Sequence, residues 1–149
     1  MPIDHSYVGR AYPATEPYEV SRVKIREFAD AIGDPNPVYR DRAAAQAAGY
    51  PDVIAPPTFA IVISSAGSAK AVSDPGLGVN YAMVVHGEQR FEYARQLVAG
   101  DVVTAQATIS GIRNAGRNVM VSAQTEIRTI DGELVCTAHS TLVERGGAE

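Results

Sequence analysis

The sequence predicts an α+β fold in which a long antiparallel sheet curls around a central apolar helix, and three observations carry that expectation. Residues 58–72, TFAIVISSAGSAKAV, hold one charge and are small or apolar almost all round. A helix without a polar face has to be enclosed, and this one is too short to cross a bilayer comfortably. Further on, Val103, Ala105, Ala107 and Ile109 alternate with more polar residues, as do Val119, Val121, Ala123 and Ile127. A period of two is the signature of strands with one buried face. Glycine-bearing turns, NAGRN and IDGE, separate these runs and make neighbouring strands antiparallel.

The elements follow in chain order. Ser21 is a suitable N-cap for a helix that places Ile25, Phe28, Ala29 and Ile32 on one face. Gly33 stops it, and Pro35 and Pro37 forbid continuation while biasing Asp34 and Asn36 toward extended backbone. The run DRAAAQAAG reads as a short helix with Asp41 near its start and Gly49 at its C-terminal cap. A loop, YPDVIAPP, leads into the apolar helix. The strands expected after it are VNYAMVVHG and EQRFEYA, then, past the turn LVAGD, VVTAQATISGIR, VMVSAQTEIR and LVCTAHSTLVE. The second face of the last strand, Val135, Thr137, His139, Thr141 and Val143, is also far from polar, which predicts an edge or face covered by another subunit. No repeat or linker divides the chain, so residues 1–149 are read as a single domain.

Composition narrows the function. A chain of 149 residues with 46% hydrophobic and 20% charged residues is globular, and a formal charge of -4 argues against nucleic acid or an anionic membrane as partner. The lone Cys136 permits no internal disulfide, and the N-terminus lacks the build of a signal peptide, so a soluble cytoplasmic protein is expected. No cofactor is implied: there is no P-loop, no Rossmann glycine pattern and no GxSxG elbow. His5, His86 and His139 are too scattered to predict a metal site.

The stretch GDPNPVYRD, residues 33–41, carries the chemistry. In an arbitrary protein it would be a helix stop with Asp34 or Asn36 bonding local amides. Here the segment from Phe28 to Phe59, FADAIGDPNPVYRDRAAAQAAGYPDVIAPPTF, resembles the signature of MaoC-like dehydratases and R-specific enoyl-CoA hydratases. VHGEQRFEYARQLVAGDVV is similar to a run of the type-I fatty-acid-synthase-like dehydratase domains. The chain also resembles the small actinobacterial dehydratase subunits that work as pairs, together with related uncharacterised proteins. The resemblance implies a hot-dog fold, an acyl-CoA or acyl-carrier-protein thioester as ligand, and a homodimer or a heterodimer with a second hot-dog chain.

It also implies site residues. Asp34 stands where the family has its catalytic Asp, Asn36 where an Asn helps hold the loop, and Tyr39 where the family has His. A phenol, with a reference pKa of about 10 against about 6.5 for imidazole, is a poor base at neutral pH. Three functional classes fit this exchange. The chain could be the half of a heteromeric (3R)-hydroxyacyl dehydratase that supplies part of the acyl tunnel, with Ser65 and Gly67 among the small helix residues near the thioester. It could act alone, with Asp34 sharing protons with His86 or Tyr39. Third, it could be a non-catalytic binding or structural module. Arg90, Arg95 and Arg113 are candidates for the phosphates of coenzyme A or an acidic carrier protein.

Overall fold

The computed structural model describes residues 2–148. Helix α1 (Arg22–Ala31) starts where Ser21 Oγ accepts the Lys24 N–H at 3.1 Å, and buries Ile25 and Ala29. Ile32 does not join that stripe. It lies past the helix, 48% exposed, because Gly33 turns the chain with φ 70° directly after it. Helix α2 (Arg42–Ala47) is capped by the Asp41 carboxylate, which accepts the Ala43 N–H at 2.9 Å. Helix α3 (Ala60–Val72) starts two residues later than the pattern predicts and buries Ala60, Ile63, Ser64, Gly67 and Ala71. Its opposite face, with Ser65, Ala66 and Ala69, is exposed, so one chain encloses α3 on one side only.

Five strands follow: β1 (Tyr18–Glu19), β2 (Val84–Tyr93), β3 (Val102–Ala115), β4 (Asn118–Thr129) and β5 (Leu134–Glu144). They form one antiparallel sheet in the order β1-β3-β4-β5-β2, with α3 packed against β3, β4 and β5. The alternation read from the sequence is the pattern observed: Val103, Ala105, Ala107 and Ile109 of β3 and Val119, Val121, Ala123 and Ile127 of β4 are all buried. Three register shifts, at His86/Glu88, Ile109/Gly111 and Ile127/Arg128, bend the ribbons. Bulges of this kind raise local twist, which lets a sheet curl. The helix approaches closely because the facing residues are small. A Cβ on Gly67 would stand 3.1 Å from Ala105 Cβ and 3.0 Å from Thr125 Cγ2.

Two expectations need correction. VNYAMVVHG is not a strand throughout: Tyr81–Met83 form a 3-10 turn, and Val84–Tyr93 run through Gly87 as one bulged strand. Nor is the last strand an edge. β5 lies between β4 and β2, so the edge falls to β2. Thr137, His139 and Thr141 turn away from α3 and meet Glu126, Gln124 and Ser122 on β4, with Ser122 and Thr141 sharing a 2.9 Å hydroxyl bond. That face is held by polar contacts, which the sequence of β5 alone conceals.

The N-terminal segment covers the β3 side of the sheet. The Tyr12 N–H donates to the Ala107 carbonyl and the Thr15 N–H to that of Ala105. The Tyr12 hydroxyl donates to Asp74 Oδ2 at 3.0 Å, and burial together with that carboxylate pushes its pKa from 10.0 to about 12. Because the phenol ionises more readily in the unfolded chain, stability is fully present below pH 10 and falls as pH rises toward 12. Tyr12→Phe is therefore expected to flatten the alkaline loss by about 1 kcal/mol at pH 11, measured by urea unfolding at pH 8 and 11. An equal alkaline slope in both proteins would remove Tyr12 from that dependence.

Candidate functional site

The loop after α1 is built from local hydrogen bonds. The Asp34 N–H caps the Ala29 carbonyl at 2.9 Å, Asp34 Oδ1 accepts the Asn36 N–H at 3.0 Å, and Asn36 Oδ1 accepts the Val38 N–H at 3.1 Å. Two successive side-chain turns thus lead into the 3-10 turn Pro37–Tyr39. Arg40 locks the arrangement, donating to the Asp34 carbonyl at 2.6 Å and pairing with Asp30. Asp34 is half-buried, while Asn36 is exposed.

Tyr39 is buried, 7% exposed, in the core cluster that also holds Val53, Ile54 and Phe59, with Val38 packed against that cluster. Its phenol is raised above the ordinary tyrosine value, first by burial, then by the Asp34 carboxylate and by Tyr50. The structure therefore brings Asp34 and Tyr39 within electrostatic reach and makes Tyr39 a weaker acid still, so it is no base at neutral pH.

A second centre lies between α3 and the concave sheet: a cavity of about 380 Å³, within the range of small-ligand sites. Its wall combines Ile109, Val121 and Leu142 with Ser64, His86 and Gln89. Ser65 also lines it, from the exposed side of α3, whereas Gly67 faces the sheet and serves the helix–sheet contact. Neither Asp34 nor Tyr39 is part of this lining. Within one chain the motif loop and the chamber are separate, and His86 belongs to the chamber.

Gln89, Ser140 and Thr125 are lining residues that pattern reading misses. For Gln89 a signal exists. In a regular strand residues 86 and 89 face opposite sides, but the bulge at Gly87 shifts the phase, so His86 pairs with Leu142 and Gln89 with Ser140, both on the chamber side. An isolated glycine inside a strand pattern marks such a bulge.

Other candidate groups are committed elsewhere. Arg95 holds Asp101 and Glu133 at 2.8 Å each, and Arg90 pairs with Glu92. Burial pushes the Cys136 thiol up to about 11, which makes it a poor nucleophile. Among the described residues no cluster of three metal-ligating side chains occurs, and no helix is long and apolar enough to cross a membrane.

Comparison with known proteins places this geometry. Residues 6–138 match the family model described as FAS1-like, dehydratase domain region. A UPF0336 protein of Thermobifida fusca is 56% identical over 99% of this chain and 97% of its own length, and one of Saccharopolyspora erythraea is 52% identical over 100% and 96%. A solved MaoC-like dehydratase superposes with a TM-score of 0.87 at 32% identity, covering 95% of this chain but only 43% of the larger one. The HadBC (3R-hydroxyacyl-ACP dehydratase) complex of Mycobacterium tuberculosis gives 0.82 at 27% identity over 92% and 96%. A five-stranded curled sheet on one helix, a dehydratase-region match over most of the sequence and near full-length UPF0336 relatives agree: the chain belongs to the MaoC-like hot-dog dehydratase family.

Proposed function

We propose that this chain is the acyl-thioester-binding subunit of a (3R)-hydroxyacyl-thioester dehydratase, or enoyl hydratase, in fatty-acid metabolism, and that a second hot-dog chain supplies the catalytic Asp–His pair. The observation that carries this reading is Tyr39: a buried phenol, raised further by its neighbours, stands where the family has its imidazole. Dehydration removes a proton from C2, protonates the departing 3-hydroxyl so that it leaves as water, and builds charge on the thioester carbonyl oxygen. Asp34 with Tyr39 offers one carboxylate and no partner able to exchange protons with it near pH 7.

What this chain retains is the binding half. The chamber offers apolar walls for an acyl chain and a few polar groups for its oxygenated end. β2 is a free sheet edge, fringed by the exposed side chains of Tyr81, Met83 and Val85, and suits pairing with a strand of another chain. The solved relative HadBC is itself described as a complex of a (3R)-hydroxyacyl-ACP dehydratase, which supports a paired assembly.

The test is reconstitution. The purified chain alone should hydrate a short trans-2-enoyl-CoA negligibly, and turnover should appear when a homologous chain bearing the intact Asp–His pair is added. Full turnover by the chain alone would overturn the reading in favour of a stand-alone enzyme, in which case Asp34→Asn and His86→Ala should each lower the rate by orders of magnitude.

A further inference from the structure

We propose that Gln89 is a specificity-determining residue, whose carboxamide hydrogen-bonds the 3-hydroxyl of an acyl thioester held in the chamber. This rests on the acyl-thioester reading above and adds to it a residue and a discrimination. Gln89 lines the chamber, and its amide nitrogen lies just beneath the surface, reached by neither solvent nor the chamber's open space and without a hydrogen-bond partner in the protein. Buried polar groups without partners are rare in folded proteins, and each such group needs a reason. Among the described residues only one other side-chain atom shares this state, His139 Nε2, and it lies on the opposite face of the sheet, 3.7 Å from a Glu92 oxygen. The neighbour of Gln89 across the ladder is Ser140, which also lines the chamber.

The backbone shows how the residue came to face inward. The β-bulge at Gly87 turns both His86 and Gln89 toward the concave side, where a regular strand would have sent one of them to the polar face with Glu88 and Arg90. Gly87 is needed for that course, since a Cβ there would stand 2.9 Å from Val143 Cγ2 and 3.3 Å from the Thr141 carbonyl. A local break in the strand therefore sets an otherwise unsatisfied amide into the wall of an apolar chamber. The terminal torsion of glutamine is soft, so the head can turn to a ligand without leaving its side-chain rotamer.

The chemistry favours a hydroxyl over a plain hydrocarbon. A carboxamide carries a donor and an acceptor on one planar head, and a hydroxyl can meet either of them. A saturated chain in the same place leaves the amide unpaired, and a site with a buried polar group discriminates against the ligand that cannot satisfy it. Gln89 also sits on β2, the free edge, so a hydroxyl bound there lies at the boundary a catalytic partner would cover.

Equilibrium binding of (3R)-hydroxyhexanoyl-CoA and hexanoyl-CoA to the full chain tests this. The wild type should prefer the hydroxy ligand by roughly 5- to 100-fold, and Gln89→Leu and Gln89→Met should each compress that ratio to within about twofold. Without ligand, Gln89→Leu should melt at the wild-type temperature or above, because it removes an unpaired buried donor. Equal wild-type affinity for the two ligands, a preference that survives in Gln89→Leu, or a lower melting temperature of that variant would each overturn the proposal. Binding of neither thioester would overturn the acyl-thioester reading itself, and the role of Gln89 with it.

Discussion

Tyr39→His is expected to raise the trans-2-enoyl-CoA hydration rate of the isolated chain by about 10²-fold, the lower end of what general acid–base catalysis contributes. The substitution places an imidazole within the electrostatic reach of Asp34 that Tyr39 already occupies. Unlike the phenol, whose pKa lies above that of an ordinary tyrosine, an imidazole near pKa 6.5 can exchange protons at neutral pH. The surrounding turn does not depend on the phenol: the Asp34 and Asn36 side-chain turns and the Arg40 bond to the Asp34 carbonyl are all made by other residues. The gained activity should acquire a pH-dependent limb that Tyr39→Phe lacks, from titration of the new imidazole, which burial pulls down and the Asp34 carboxylate pushes up. Tyr39→Phe should gain nothing, and adding Asp34→Asn to Tyr39→His should abolish the gain. A folded Tyr39→His variant with wild-type rates would show that the loop is not aligned with any chamber. That result would shift the balance toward a purely binding or structural subunit.

The same residues show which parts of the molecule local sequence encodes. Ser21, Asp41 and the alternation of β3 and β4 were legible because capping and a period of two depend on residues a few positions apart. Strand order was not. The polar face of β5 depends on Glu126, Gln124 and Ser122 across the ladder, and the edge role of β2 on a connection no short window contains. The apolar look of α3 predicts enclosure all round, yet its serines and alanines leave one face open in the single chain. Small residues permit a close approach without specifying from which side it comes. The turn that carries Asp34 and Asn36 was legible by type and spacing, because a proline-locked turn fixes its side chains locally. The separation of that loop from the chamber was not, since it arises from how α3 and β2 fold onto the sheet.

Phe59→Ala is expected to destabilise the chain by about 3–5 kcal/mol, the usual range for removing a fully buried aromatic ring. Phe59 is 0% exposed and stands at the entrance to α3, where no side chain caps the helix. Its ring meets that of Phe28 edge-on, centroids 5.3 Å apart, and so ties α3 to α1. Such a contact adds about 0.5–1.5 kcal/mol beyond the area it buries. Tyr39 belongs to the same cluster, which means that the cavity left by the ring would also loosen the packing behind the motif loop. Ile32→Ala is the matched comparison. Helical spacing places Ile32 on the same face as Phe28, but at 48% exposure its loss should change stability by no more than about 0.5 kcal/mol. Urea unfolding of the two variants separates the alternatives directly, because a total stability of about 5–15 kcal/mol makes the first loss a large shift in midpoint and the second nearly invisible. Comparable losses in both would mean that Ile32 is covered in solution by a contact outside this chain, and the open side of α3, with its exposed Ser65 and Ala66, would be the next place to look for the same cover.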